Sequence, residues 1–219
     1  MGKRFGKGTN KPFASLGDKP LIIWAVEALQ SLPEVAEIIP ALKETDIKLC
    51  RRLFENYSIT KIRRIAPGGR ERQDSVFNAL TLIQDKTAIV LVHDGVRPLI
   101  EPPVIKKVLQ QLNGCDGVVV GVPLKDTVKE VTDGIVTNTP ERNSLWAIQT
   151  PQAFHFHTLY AAYEKAAADS FYATDDSALV ERYGGKIKVV QGSYTNIKVT
   201  TPEDLLVAGV FLEMRRSAS

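Results

Sequence analysis

Apolar residues along the chain recur in two patterns, one typical of amphipathic helices and one typical of buried strands. Helical spacing is predicted over 18–33, 45–56, 71–84, 102–112, 156–168, 174–183 and from Pro202 onward, with Asp18 as the first cap. Apolar runs predict strands at 61–66, 88–93, 117–122, 186–190 and 196–200, and a short apolar segment stands at 38–42. Strands that alternate with helices pair in parallel through right-handed crossovers, so we expect a single α/β domain over 1–219 with a doubly wound, mostly parallel sheet.

One stretch departs from this alternation. Residues 123–145 alternate polar and apolar positions, and Asp133-Gly134 lies in the middle. Asp-Gly between alternating runs is a strong β-hairpin signal. Because an isolated hairpin is only marginally stable, we expect this one to project as an arm that packs against a second copy of the chain in a homodimer.

Composition narrows the class of protein. The 219 residues include 44% hydrophobic and 24% charged residues, with a net charge of +3 that suits a small anionic substrate. Acidic residues are interspersed among the basic ones, which argues against nucleic-acid binding. No apolar run is long enough for a membrane span, the start lacks a signal-peptide core, and Cys50 and Cys115 show no metal spacing. We expect a cytoplasmic protein with reduced thiols, or a plastid protein if the source is eukaryotic.

Two glycine-containing segments are candidates for phosphate or nucleotide binding. Near the start, glycines are interleaved with cations, namely Gly2, Gly6 and Gly8 with Lys3, Arg4, Lys7 and Lys11. The alternative is a basic tail. Further on, Gly68-Gly69 leads directly into a predicted helix at Arg70-Glu71-Arg72-Gln73-Asp74-Ser75, which is either an anion site or a tight turn with a charged first helical turn.

Two charged residues stand beside apolar strands. Asp94 follows the strand at 88–93 and precedes Gly95 and Arg97, so its carboxylate can hold Mg²⁺ or a ribose hydroxyl, or can serve a turn. His93 is expected to be structural. Lys198 lies within an apolar run, and because lysine is rarely buried without a partner, we expect it to face an anion or a cleft.

Seven blocks in order resemble the 2-C-methyl-D-erythritol 4-phosphate cytidylyltransferases of the non-mevalonate isoprenoid pathway, from Met1 to about Leu206. The blocks are GKRFG with NKPF, GGRERQDSV, VHDGVRP, PLKDTVK, ERNSLWAIQTPQAF, TDDSAL and NIKVTTPEDL. The resemblance implies a Rossmann-like fold of the nucleotide-diphospho-sugar transferase type. It also implies that CTP binds with Mg²⁺ on its phosphates, and that the phosphate of methylerythritol phosphate attacks the α-phosphorus and displaces pyrophosphate.

The same resemblance implies roles for individual residues. Arg4 and Lys11 would stabilise the transition state, and Arg142 and Lys198 would hold the attacking phosphate. Arg142 and Thr127 lie in the arm and would serve the partner subunit's site. Thr174 and Asp94 would occupy further site positions, with Thr174 among the substrate-binding residues. The nucleotide-binding set would be Gly2, Gly69, Arg70, Ser75, Asp94 and Gly95, with Asp94 also a candidate metal ligand.

Family members open with an apolar strand and a Pro-Ala-Ala-Gly loop, and Met1 stands at the last position before Gly-x-Arg. We therefore expect that the sequence begins at an internal methionine, and that a chain truly starting here would fold poorly and turn over CTP weakly. Two alternatives stay open: a cytidylyltransferase for ribitol or ribulose phosphate, which the Leu145-Trp146 pair disfavours, and a non-catalytic remnant.

Overall fold

The computed structural model describes residues 10–217, in which helices and strands alternate along most of the chain. The α-helices are α1 (Leu21–Gln30), α2 (Glu44–Asn56), α3 (Arg72–Thr81), α4 (Pro102–Gln110), α5 (Phe156–Ala168), α6 (Asp176–Arg182) and α7 (Pro202–Ser217). The strands are β1 (Ser15–Leu16), β2 (Lys19–Pro20), β3 (Ala41–Leu42), β4 (Ala66–Pro67), β5 (Ile89–Val92), β6 (Gly117–Pro123), β7 (Glu130–Thr132), β8 (Ile135–Asn138), β9 (Trp146–His155) and β10 (Ile187–Gln191). Short 3-10 helices cover Lys11–Phe13 and Arg142–Ser144.

The central sheet has the strand order β10-β6-β9-β5. β10 runs parallel to β6, and β9 runs antiparallel to both β6 and β5, so three of these four strands share one direction. This confirms the mostly parallel α/β prediction. The sequence pattern did not predict β9, because Trp146–His155 contains Pro151 and lacks the alternation of a half-buried strand.

Helices cover both faces of this sheet. On one face Val90 and Phe154 pack against Leu159 and Tyr163 of α5. On the other face, a second cluster joins α4 to the centre of the sheet through Val108, Leu112, Val118, Val120 and Ala153. Burial on both faces explains why 88–93 and 117–122 read as continuous apolar runs.

The strands β3 and β4 form a separate parallel ladder. The strand predicted over 61–66 is therefore wrong for most of its length. The Lys61 carbonyl accepts one hydrogen bond from the Ile38 backbone at 2.8 Å, but regular pairing begins only at Ala66. The expectation of a missing first strand concerns residues outside 10–217 and stays a prediction.

Two further local predictions are wrong. Residues 196–200 pair with no strand of residues 10–217. Within that range, the Val199 N–H donates to the Val96 carbonyl at 2.9 Å, and no ladder continues from this bond. Asp18 does not cap the first helix, which begins after Pro20. Its carboxylate lies 2.6 Å from the Arg216 guanidinium of α7 instead.

The hairpin prediction is confirmed. β7 and β8 pair antiparallel, and Asp133 and Gly134 between them have φ of 51° and 79°. Two successive positive φ values are the signature of a type I′ turn. The hairpin exposes apolar side chains, with Ile135 at 70% and Val131 at 57% of their full exposure.

No helix within residues 10–217 has the length and apolar character needed to cross a membrane.

Candidate active site

Asp94 lies just beyond the carboxyl end of β5, where three cations from three different segments meet its carboxylate. The Lys198 ammonium is 2.9 Å from Oδ2. The Arg97 Nε is 3.5 Å from the same oxygen, and the Arg72 Nε is 3.4 Å from Oδ1. We call Asp94, Arg72, Arg97 and Lys198 the Asp94 cluster. Its position fits the rule that ligands of α/β sheets bind outside the carboxyl ends of the strands.

A β-bulge in β9 fixes the backbone of Asp94. The pairing of β6 with β9 skips Thr150 and Pro151, because Val119 faces Gln152 and Val120 faces Gln149. Bulges re-aim side chains. Here the Thr150 hydroxyl reaches across to β5 and accepts a hydrogen bond from the Asp94 backbone N–H at 3.1 Å.

His93 completes this support from the interior. Its Nε2 donates to the Arg97 carbonyl at 3.2 Å, and its Nδ1 accepts from the Thr150 hydroxyl at 2.9 Å. A neutral imidazole with its proton on Nε2 makes both of these hydrogen bonds. Burial lowers the pKa of His93 to about 4, which the neighbouring Asp94 only partly opposes. The structural role expected for His93 agrees with this geometry.

The cluster combines a buried anion with a reachable cation. Burial by itself would raise the pKa of Asp94, but the charges of Lys198 and Arg72 and the hydrogen bond from Lys198 outweigh burial and lower it to about 2. The Asp94 side chain is 11% exposed and the Lys198 side chain 42%. Asp94 is therefore ionised at neutral pH and holds a lysine whose ammonium remains open to a ligand.

A second group of contacts holds the Lys198 segment in place without a strand. Arg97 donates from Nη1 to the Asn196 carbonyl at 2.8 Å. The Asn196 amide donates to the Gln149 side chain at 3.1 Å and to the Thr150 carbonyl at 3.0 Å. The predicted position of Lys198 beside an anion is thus confirmed, although the predicted strand is not.

The Gly68-Gly69 turn leads into α3, which carries Arg72. The helix begins with a capping box in which Glu71 and Asp74 satisfy each other's backbone N–H groups. The Gly69 N–H donates to the Ser75 hydroxyl at 2.8 Å. A Cβ at Gly69 would lie 2.2 Å from the Asp74 Cβ, so no larger residue fits this turn.

From α3 the contacts continue to the segment that carries Thr174. The Gln73 amide donates to the Phe171 carbonyl at 2.9 Å and accepts from the Ala173 N–H at 3.0 Å. Arg72 forms a two-pronged ion pair with Asp176, with Nη2 and Oδ2 2.7 Å apart. Burial would lower the pKa of Arg72, but the Asp176 carboxylate raises it above its ordinary value, so Arg72 is permanently charged. The arrangement suits a phosphate, because the cations of the cluster outnumber its carboxylates.

Comparison with known proteins identifies the group to which this site belongs. Residues 1–214 match the family described as 2-C-methyl-D-erythritol 4-phosphate cytidylyltransferase. The chain is 45% identical over 216 residues to the protein of that name from Geotalea uraniireducens, covering 97% of this chain and 93% of the relative. It is 43% identical over 216 residues to the protein of that name from Bacillus cereus, covering 99% and 95%.

The chain belongs to the 2-C-methyl-D-erythritol 4-phosphate cytidylyltransferase family. The crystal structure of 4-diphosphocytidyl-2C-methyl-D-erythritol synthase from Anaerococcus prevotii superimposes with a TM-score of 0.85 at 35% identity, covering 92% of this chain and 93% of that one. The fold expected from the family resemblance is thereby confirmed.

The residues that the family resemblance singles out fall into three groups. Asp94 and Lys198 are in contact, and Gly95, Gly69, Arg70, Ser75 and Thr174 lie on the segments joined to them through α3. Arg142 and Thr127 lie in the arm, where Arg142 donates to the Lys125 carbonyl at 3.0 Å. Gly2 and Arg4 are outside the described residues, and Lys11 begins the 3-10 helix that precedes β1 without an ion pair to any residue of 10–217.

Sequence reasoning missed Arg72, Arg97 and Asp176 as members of the site. All three lie inside the sequence blocks that resemble the family, and membership of those blocks is the one feature of the sequence that could have marked them as site residues. Nothing in their local pattern reveals their partners, since Arg72 and Asp176 are 104 positions apart.

The described residues do not form a dedicated metal cage. Within 10–217 no group of three or more His, Cys, Asp or Glu side chains is placed to hold an ion. Both oxygens of Asp94 already face cations, which disfavours Asp94 as a metal ligand.

Proposed function

We propose that this chain transfers the cytidylyl group of CTP to the phosphate of 2-C-methyl-D-erythritol 4-phosphate, as a step in isoprenoid precursor synthesis. The observation that carries the proposal is the Asp94 cluster in a chain of this family. It presents a partly exposed lysine, held by an ionised carboxylate, at the edge of the sheet where ligands of α/β proteins bind.

The reaction forms one bond and breaks one. A phosphate oxygen of the acceptor attacks the α-phosphorus of CTP, the bond from that phosphorus to the β-bridging oxygen breaks, and pyrophosphate leaves with the bonding electrons. Charge accumulates on the phosphoryl oxygens, so the protein contributes by positioning the two substrates and by placing cations beside them.

Each cation has a place in this scheme. Lys198 of one subunit and Arg142 of the partner subunit hold the attacking phosphate, and Arg4 and Lys11 stabilise the charge that develops on the triphosphate. The remaining contacts fall into two sets. Cytosine and the rest of the nucleotide are assigned to Gly2, Gly69, Arg70, Ser75, Asp94 and Gly95, and the acceptor alcohol is assigned to Thr127 and Thr174.

A divalent cation, Mg²⁺ in the first instance, accompanies CTP in this proposal. Mg²⁺ is commonly bound through substrate phosphates with several of its waters retained, rather than by an all-protein cage. This agrees with the lack of a dedicated metal cage within residues 10–217. The protein residues act on the phosphates beside the ion.

The arm supports a homodimer. Ile135 and Val131 on the hairpin are 70% and 57% exposed, and Val136 is 54% exposed. Contiguous exposed apolar side chains mark interaction surfaces. Pairing of two arms around a two-fold axis would bury them and would carry Arg142 and Thr127 toward the other subunit.

The test is a pyrophosphate-release assay with CTP and methylerythritol phosphate, with ribitol 5-phosphate and ribulose 5-phosphate as competing acceptors. We expect turnover with methylerythritol phosphate and much slower turnover with the pentose derivatives. Preference for a pentose derivative would favour the alternative cytidylyltransferase. Binding of CTP without turnover of any acceptor would favour the non-catalytic remnant. Cytoplasmic residence stays a prediction. Cys50 and Cys115 are both free thiols in the structure.

A further inference from the structure

Asp176 is a buried carboxylate for which the proposed reaction has no use. Its side chain is 0% exposed, and it lies in the first turn of α6. Capping of that helix is done by its neighbour, since the Asp175 carboxylate accepts from the Ala178 N–H at 2.9 Å. Asp176 instead accepts two hydrogen bonds from Arg72, at 3.0 Å and 2.7 Å, and one from the Tyr163 hydroxyl.

Stability alone is a weak reason for such a pair. Removing two charges from water costs several kcal/mol per ion, and well-packed apolar residues in the same volume are often as stable. The Arg72–Asp176 pair does have a second contact, however, because Arg72 also approaches Asp94. Only its Nε reaches Asp94, at 3.4 Å, while both terminal nitrogens are held by Asp176.

The three cations around Asp94 contact different oxygens of its carboxylate. Oδ1 faces Arg72, and Oδ2 faces Lys198 at 2.9 Å and Arg97 at 3.5 Å. A guanidinium freed from Asp176 would offer its planar fork to Asp94, and two-pronged arginine–carboxylate pairs are among the strongest contacts available to a carboxylate. Arg72 would then compete with Lys198 for Asp94.

We propose that Asp176 is a positioning residue for the acceptor phosphate: by holding the terminal nitrogens of Arg72, it restricts Arg72 to one contact with Asp94 and leaves Asp94 Oδ2 to orient Lys198. The inference rests on the proposed function, in which Lys198 binds that phosphate. Asp176 itself contacts neither substrate. Its effect passes through Arg72 and Asp94 to the lysine.

The first variant is Asp176→Asn, which keeps the shape of the side chain and removes its charge. We expect the KM for methylerythritol phosphate to rise roughly tenfold, since small misplacement of a binding group costs one to two orders of magnitude. The KM for CTP and kcat should change much less. In a Lys198→Ala background the same substitution should leave the KM for the acceptor unchanged, because the residue through which Asp176 acts is gone.

Tyr163→Phe is the matched control. It removes a hydrogen bond to the same carboxylate and a similar share of stability, but leaves the Arg72–Asp176 pair intact. We expect it to lower Tm without raising the KM for the acceptor. An equal KM rise in Tyr163→Phe, an unchanged KM in Asp176→Asn, or a persisting effect of Asp176→Asn in the Lys198→Ala background would each overturn the proposal. The last result would point to displacement of Thr174 instead.

Arg72→Lys provides a second route if Asp176→Asn does not fold. It keeps the charge but loses the fork that would compete with Lys198 for Asp94, so the KM for the acceptor should stay near its wild-type value. A roughly tenfold acceptor-specific rise in this variant would overturn the proposal. Titration of inorganic phosphate, followed by the shift in Tm, tests the arrangement without turnover. Roughly tenfold weaker phosphate binding in Asp176→Asn is expected, and equal binding would contradict it. A wild-type protein that binds phosphate but turns over no acceptor would refute the proposed function alone.

Discussion

The Asp94 cluster and the arm each carry one of the two cations proposed to hold the acceptor phosphate, Lys198 and Arg142. The two regions are built in opposite ways. Asp94 is 11% exposed and is held by residues from three segments of the same chain. In the arm, the Arg142 side chain makes one hydrogen bond to the part of the chain that the structure describes, to the Lys125 carbonyl, and the apolar side chains of the hairpin face solvent. The cluster is arranged by its own chain, whereas the arm offers a surface that only another molecule can cover.

The two regions would therefore depend differently on assembly of the subunits. Preorganised groups contribute most to catalysis because they need no rearrangement when charge develops. Lys198 is of this kind, since Asp94 fixes it before substrate arrives. Arg142 would become preorganised only when the arm packs against a partner subunit.

Removing Lys198 should have the largest effect. Lys198→Ala deletes the reachable cation of the cluster, and we expect kcat/KM for the acceptor to fall by about 10²–10³, the usual effect of removing one group that stabilises transition-state charge. Steady-state pyrophosphate release measures this. The control is Lys188→Ala, at an exposed lysine of β10. Wild-type kcat/KM in Lys198→Ala would show that the cluster does not serve the phosphate.

Breaking the arm surface should have the next largest effect. Ile135→Asp places a charge in the exposed apolar patch, so we expect dissociation to monomers and loss of most activity at low protein concentration. Because Ile135 is 70% exposed, the free energy of unfolding of the subunit should change by only about 0.5 kcal/mol. Analytical ultracentrifugation and denaturant titration report the two quantities.

Leu49→Asp is the matched control for the arm, since Leu49 on α2 is 48% exposed and lies outside the hairpin. It should leave both the oligomeric state and the activity unchanged. An Ile135→Asp protein that stays dimeric, or a monomer with full activity, would contradict the role given to the arm.

The smallest effect concerns the support of Asp94. His93 has an ordinary pKa of 6.5 and a native pKa lowered to about 4 by burial. Between these values the unfolded chain binds a proton that the native chain does not, so the free energy of unfolding falls as pH falls from about 6.5 toward 4, by about 2–3 kcal/mol for this group.

His93→Gln should remove this part of the pH dependence. Denaturant titrations from pH 7 to pH 4 measure the slope, and His157→Gln at an exposed histidine serves as control. A wild-type slope in the His93→Gln protein would show that His93 is protonated in the native state, contrary to its neutral hydrogen-bonding pattern with Thr150 and Arg97.

The sequence predicted the local features of the fold better than its long-range pairing. The hairpin turn at Asp133-Gly134 was predictable because only a few residues tolerate two positive φ values. β9 was not, because its central residues are buried on both faces and a bulge at Thr150 interrupts its pairing. Residues 196–200 were predicted as a strand from their apolar pattern, but Val199 is buried against Leu21 of α1 and Leu212 of α7 rather than within a sheet.

The candidate site shows the same limit. The lysine in an apolar run predicted that Lys198 faces an anion or a cleft, and Asp94 lies 2.9 Å from its ammonium. No pattern could show that Arg72 bridges Asp94 to Asp176, because those contacts depend on the packing of α3 against the start of α6. The family resemblance located the sequence blocks that form the site, and the tertiary structure shows which residues of those blocks contact one another.

Complementation between two strongly impaired variants tests most directly whether each active site is built from two subunits. If each site uses its own Lys198 and the partner's Arg142, Lys198→Ala and Arg142→Ala subunits should form mixed dimers with one intact site. Refolding the two variants together in equal amounts should therefore restore about a quarter of wild-type turnover, given random two-fold pairing. Each variant refolded alone should keep only about 1% of wild-type turnover or less. Activity that stays at the single-variant level in the mixture, with mixed dimers confirmed by mass, would show that each chain uses its own Arg142.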